Sequence, residues 1–244
     1  MLFASLFTTF AHAESQATAL IKRAESHTRG KTFQGELTMT VNRSGQSRQL
    51  KMKLWSEGLD KAMVKIFEPK KDRDTGNLRL KFDIWEFIPD IEKLIKIPSS
   101  MMLQSWMGSD FTNDDLVKSS SLSRDYDHEI EGQELLNGVK VIKIVCHPKP
   151  NAPVVWGKLR IWVRATDAAP LKQEFYDEKN ELIKVFEGSQ IQLLGSHAFS
   201  MHVLMKNLKK ADSSTTIDYK NVIFDQAILA STFTQEFLRR PVQH

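Results

Sequence analysis

The sequence predicts a mainly β protein, α+β in class, built on a single curled antiparallel sheet. Three observations lead there. Apolar residues alternate with polar ones at period two through most of the chain. Hairpin turn signals separate the alternating runs, Asn137-Gly138 being the strongest. Helical spacing is confined to the N-terminal region and to one insert, too little helix to cover a second sheet face.

The elements follow in order. Ala17, Leu20, Ile21 and Ala24 fall at i, i+3, i+4 and i+7, so one amphipathic helix starts near Ala17, and Gly30 is its expected stop. After Gly35 the period becomes two. Leu37, Met39 and Val41 alternate with Glu36, Thr38 and Thr40; "RSGQ" makes a turn; Leu50, Met52 and Leu54 alternate with Lys51, Lys53 and Trp55. Leu78, Leu80, Phe82 and Ile84 read as one further strand, and Leu159, Ile161 and Val163 as another. "DEKNE", 177–181, is a weaker turn. Such strands have one buried and one wet face. About ten or eleven of them are expected. The economical arrangement curls the sheet so that its apolar face encloses something. No linker or internal repeat divides the chain, so residues 14–244 read as one domain.

Residues 98–118 interrupt the strands. "PSSMMLQSWMG" is expected to be helical, capped by Ser99 or Ser100 and ended by Gly108. Its large apolar side chains cover most of the circumference, which demands burial on several sides. The next stretch, "SDFTNDDL", carries Asp110, Asp114 and Asp115. Thr112 with Asp115 three places on is a near capping box, and acids suit a first helical turn. The glycine-centred, regularly spaced oxygen ligands of a calcium loop are absent. These acids therefore read as helix start and loop rather than metal site.

The composition narrows the function classes. The net charge of +4 is a mild excess without a dense basic run, which argues against nucleic acid. The one cysteine, Cys146, lies in the apolar run "VKVIKIVCH" and reads as a buried small residue. No nucleophile elbow, paired-histidine zinc motif, phosphate loop or C-x-x-C is present, so no enzyme activity and no cofactor or metal is expected. The first thirteen residues have no charge, and Ala11-His12-Ala13 is a small-x-small pattern before Glu14. We read residues 1–13 as a signal peptide shortened at its start, with export of the mature chain. No other stretch approaches ~18 apolar residues, so no membrane span is expected.

The stretch from "GNLRLKFDIWEFIPDIEKLIKIPSS" through "WMGSDFTNDDL" resembles the outer-membrane lipoprotein-sorting proteins, relatives of the periplasmic carrier LolA. Gly76, the alternate Trp85, Phe87 and Pro89, the basic-apolar "KLIKI", and "MGSDF" followed by Asp-Asp-Leu carry the resemblance. "LWSEGLDKAMVKIFEP", 54–69, looks like that family's two upstream strands, and "TTIDYKNVIFDQAILASTFT" like its closing strand and Phe-containing terminal segment. The resemblance implies an incomplete barrel with a helical lid over an apolar cavity for acyl chains. The implied function is a periplasmic carrier of lipid or lipoprotein, acting as a monomer between an inner-membrane exporter and an outer-membrane acceptor. A sensor or assembly adaptor partnering an inner-membrane protein is the alternative, and an exported hydrolase using Asp110 and Asp114 with a distant histidine ranks last. The expected lining is Trp85, Phe87, Leu94, Ile97, Met101, Met102, Leu103, Trp106, Met107 and Phe111, with Gly108, Ser109 and Asp110 as hinge or cap of the lid. A chain of about sixteen carbons buried there would gain on the order of a dozen kcal/mol.

Overall fold

Helix α1 (Gln16–Arg29) begins where Ser15 turns its hydroxyl onto the Thr18 N–H at 3.2 Å. It ends at Gly30, whose φ of +58° and N–H bond to the Ser26 carbonyl close the last turn. Ala17, Ile21 and Ala24 are buried and Leu20 packs at their edge, the face that the spacing marked. This computed structural model describes residues 14–118, 122–152 and 154–242. The expected leader over residues 1–13 lies outside them.

Among the described residues, thirteen strands form one antiparallel sheet. They are β1 (Thr32–Arg43), β2 (Gln46–Glu57), β3 (Lys61–Glu68), β4 (Gly76–Leu80), β5 (Asp83–Ile88), β6 (Lys93–Lys96), β7 (Tyr126–Leu136), β8 (Val139–Pro148), β9 (Lys158–Arg164), β10 (Pro170–Tyr176), β11 (Leu182–Leu194), β12 (His197–Asn207) and β13 (Ser213–Phe224). The spatial order is β6-β5-β4-β3-β2-β1-β13-β12-β11-β10-β9-β8-β7. Two meanders are thus joined at one non-local pair, β1 with β13, where Met39 faces Ile217 and Leu37 faces Tyr219. Among the described residues β6 and β7 do not pair with each other. The sheet is curled and unclosed.

The turns obey their residues. Ser44-Gly45 and Asn137-Gly138 both take positive φ at two successive positions, as a two-residue hairpin requires. One strand reading is corrected. The alternation from Leu78 to Ile84 is a hairpin, not one strand: Lys81 has φ +54°, Leu80 pairs with Asp83, and Phe82 is 60% exposed at the tip. Lys81 and Phe82 carry no local turn mark, so the apolar pattern ran on through them. The turn also changes which residues share a face: Leu78 pairs with Trp85, and Arg79 with Ile84. This split and the short β6 raise the strand count above the expected ten or eleven.

The inner face of the sheet carries Leu37, Met39, Leu50, Met52 and Ile66 in one half. In the other half, Ile21 and Ala24 of α1 pack on Ile144, Ile161 and Met205. The outer face is covered only locally. There the C-terminal segment, a 3-10 turn at Ala230–Phe233 and helix α4 (Gln235–Arg239), lays Phe233 and Leu238 over Met63, Leu78 and Phe87. Gly76 permits this contact. A Cβ there would lie 2.5 Å from the Val64 carbonyl oxygen and 3.0 Å from Leu238 Cδ1.

Residues 97–118 and 122–125 lie between the edge strands β6 and β7. The expected helix over 98–108 is corrected to two single 3-10 turns, Ser99–Met101 and Trp106–Gly108. Met107 and Gly108 both take positive φ, which breaks any helical path. Tertiary pairing overrides the helical spacing: Ser105 bridges Thr112, and the Trp106 N–H donates to the Phe111 carbonyl at 2.7 Å. Short helices α2 (Asn113–Lys118) and α3 (Leu122–Asp125) complete the crossing.

Candidate functional site

The crossing segment roofs a cavity of about 370 Å³ between itself, α1 and the inner face of the sheet. The volume falls within the few hundred to a thousand Å³ usual for small-molecule sites. Its walls are mainly apolar. Ile21 and Ala24 come from α1, Val64 and Val203 from the sheet, and Trp106 and Phe111 from the roof.

Polar bonds hold the roof to separated strands. Trp106 Nε1 donates to Asn77 Oδ1 on β4 at 2.9 Å. Both carboxylate oxygens of buried Asp110 accept hydroxyls of β13, from Ser213 at 2.7 Å and Thr215 at 2.8 Å. Arg43 of β1 donates to the Gly108 carbonyl at 3.2 Å. Thr112 and Asp115 close the capping box. Thr112 N–H donates to Asp115 Oδ2 at 2.7 Å, and Asp115 N–H to Thr112 Oγ1 at 3.2 Å. The same Asp115 oxygen meets Lys184 Nζ of β11 at 2.5 Å, with the two side chains 9% and 1% exposed. Lys184 also lies over the rings of Trp156, at 4.8 Å, and Phe175, at 5.1 Å. The acids of "SDFTNDDL" thus do structural work at Asp110 and Asp115.

The expected lining residues divide. Trp106 and Phe111 reach the cavity. Phe87, with Trp85 and Leu94 beside it, lies on the outer face under the C-terminal segment. Ile97, Met101 and Met102 form a small cluster with Ile84 near the β6 edge. Met107 packs against the inner core without lining the cavity, and Leu103 is 61% exposed. The hairpin at Lys81-Phe82 explains Trp85 and Phe87: it puts them on the face of Leu78, away from the cavity. Gly108, Ser109 and Asp110 sit at the kink and the β13 anchor.

The spacing did not mark the polar end of the cavity. Arg79 falls between Leu78 and Leu80 on the polar side of the alternation, which predicts a wet face, and Asn77 precedes them. Asn77 and Arg79 face Val64 and Ala62 across the register and line the cavity, with Arg79 only 6% exposed. Arg29 and Glu25, the last turns of α1, line it as well. Burial lowers the Arg29 guanidinium to about 10, with nearby Arg79 adding to the effect and Glu25 opposing it. Burial also lowers Arg79 and raises Glu25. Tyr219 in the wall is pushed up to about 12 by burial. Cys146 is fully buried beneath α1, and burial raises its thiol, which disfavours the nucleophilic thiolate.

An open, curled antiparallel sheet with an N-terminal helix is a LolA-like fold. A family model described as that of an uncharacterized protein matches residues 58–240, and the chain belongs to that family. No curated protein matches the chain. Solved structures do. A DUF1329 family protein from Desulfovibrio piger is 20% identical with a TM-score of 0.84, over 91% of this chain and 97% of that one. A putative outer membrane lipoprotein-sorting protein domain from Vibrio parahaemolyticus is 21% identical with a TM-score of 0.81, over 92% and 99%. A LolA superfamily protein from Nitrosomonas europaea is 18% identical with a TM-score of 0.76, over 92% and 100%. At these identities the likeness is one of fold. Among the described residues no helix is long and apolar enough to cross a membrane.

Proposed function

We propose that this protein is a periplasmic carrier that takes acyl chains of a lipid or lipoprotein into the cavity and moves them towards the outer membrane. The observation that carries this reading is the cavity itself: about 370 Å³, walled mainly by apolar side chains, and roofed by a segment tied to separate strands at discrete polar points. Each methylene buried there contributes about 0.8 kcal/mol, so capture from water is favourable and release needs a competing membrane or acceptor protein. Separated latches suit a roof that loosens and recloses. Gly108 to Asp110, between the positive-φ kink and the β13 anchor, is where it would hinge. The Vibrio relative, described as an outer membrane lipoprotein-sorting domain, supports the same direction of transport.

The test uses delipidated full chain and a neutral fluorescent probe, N-phenyl-1-naphthylamine. Saturable uptake is expected, competed by long-chain alcohols and lipids. Val203→Trp, which places a ring in the cavity wall, should weaken uptake at least tenfold while the thermal transition stays cooperative. Lipid should also move between donor and acceptor vesicles in the protein's presence. Absence of saturable uptake, or full uptake by the Val203→Trp protein, overturns the cavity's role. Uptake without transfer turns the reading to a sensor.

A further inference from the structure

Resting on the carrier reading, we infer that the cavity takes an anionic amphiphile, whose carboxylate or phosphate group pairs with Arg79 and Arg29 while its hydrocarbon tail lies along the apolar wall. A guanidinium on the inner face of a greasy sheet is costly to bury. Arg79 is nonetheless on the cavity side, register-paired with Ala62 and Ile84, which line the same space. Its Nη1 donates to the Leu59 carbonyl at 2.5 Å, but its buried Nε has no hydrogen-bond partner. A buried donor left without an acceptor is a specific deficit that an oxyanion corrects.

Arg29 brings a second cation to the same cavity, near enough for Arg79 to disfavour its charge. The acids nearest these two cations are Asp60, beside Arg79, and Glu25, beside Arg29. Asp60 acts on Arg79 from an exposed turn, where water screens it. Glu25 is four residues before Arg29 on α1 and is also engaged by Ser123 of α3. Thr28, Ser56 and the backbone at Gly58 add polar groups to the lining, whose apolar part includes Leu37, Val203 and Ile217. One end that prefers an anion and a body that prefers hydrocarbon describe a fatty acid or an anionic phospholipid. Planar guanidinium edges match carboxylate and phosphate alike, so the two share this chemistry.

The experiment compares laurate with dodecanol, equal chains differing in the head, by displacement of N-phenyl-1-naphthylamine from the delipidated full chain at neutral pH. A hydrogen bond to a charged group predicts laurate to bind tenfold to about a hundredfold tighter. Arg79→Met should bring the ratio near one while leaving dodecanol binding intact, and Arg29→Gln should reduce it. Arg79→Lys, which keeps charge but not the planar fork, should retain an intermediate preference. Lauryl phosphate run beside laurate tells which head is preferred, and either preference over dodecanol supports the site. Inorganic phosphate displacing laurate as well as lauryl phosphate does would mean a free-anion site and overturn the amphiphile. Equal binding of laurate and dodecanol by the wild type, or an unchanged ratio in Arg29→Gln together with Arg79→Lys, sinks the anion subsite alone. Failure of dodecanol as well as laurate to bind sinks the carrier reading instead.

Discussion

Lys184→Met is the sharpest probe of how the roof is held. The substitution keeps the aliphatic stem and removes a charge whose partner, Asp115, lies 2.5 Å away with its side chain 9% exposed. Removing one member of a buried pair leaves the other charged and unpaired, which costs about 3–5 kcal/mol. The Thr112 N–H still donates to the stranded oxygen, which places the expectation at the lower end of that range. Loss of the ring contacts to Trp156 and Phe175 adds about 0.5–2 kcal/mol, the scale for a cation over an aromatic face. At about 2–4 °C per kcal/mol for a domain of this size, Tm should fall by roughly 6–20 °C. The assay is urea and thermal unfolding of Lys184→Met, Asp115→Asn and the double variant. Asp115→Asn keeps an acceptor for the capping box, so the double variant should recover more than half of the Lys184→Met loss. The probe should also exchange faster in Lys184→Met, because α2 is then released from β11. A loss below about 1 kcal/mol, or strictly additive effects in the cycle, would refute the latch.

Two further outcomes follow from the outer face. Gly76→Ala should cost about 1–3 kcal/mol by overpacking, since its Cβ would meet the Val64 carbonyl at 2.5 Å; unchanged unfolding in urea would contradict the close approach. Lys65, buried beneath α4 and bonded to the Phe237 carbonyl at 3.3 Å, has its ammonium lowered by burial from the ordinary 10.5 to about 8. The unfolded chain therefore holds this proton more tightly than the folded one. Stability relative to Lys65→Met should rise as pH climbs from about 8 to 10.5 and stay flat below 8, by on the order of 1–3 kcal/mol across the window. Parallel unfolding curves at every pH would show that the lysine titrates normally.

Much of this architecture is written locally. The helix from Gln16, its Gly30 stop, the paired positive-φ turns and the inward faces of β1, β2 and β9 all follow from neighbouring residues, because helix period, strand period and turn geometry are properties of a few consecutive side chains. The capping box at Thr112 and Asp115 is equally local. The cavity was legible only as a kind of surface, greasy and one-sided, and through the resemblance of "MGSDF" and its flanks.

Which residues line it was decided elsewhere. The hairpin at Lys81-Phe82 reverses the facing of Trp85 and Phe87, and the C-terminal segment then buries them on the outside. The pairing of Ser105 with Thr112 unmakes a helix that its own spacing favoured. Arg79 meets Arg29 across fifty positions of chain only because β4 and the end of α1 face one cavity. By itself the sequence determined period, turns, caps and the amphipathic character of each strand, since those energies act between near neighbours. Tertiary structure alone decided the cavity's lining, its latches and its cationic end. Those depend on which strands meet when the sheet curls, and that contact free energy belongs to residues far apart in the chain.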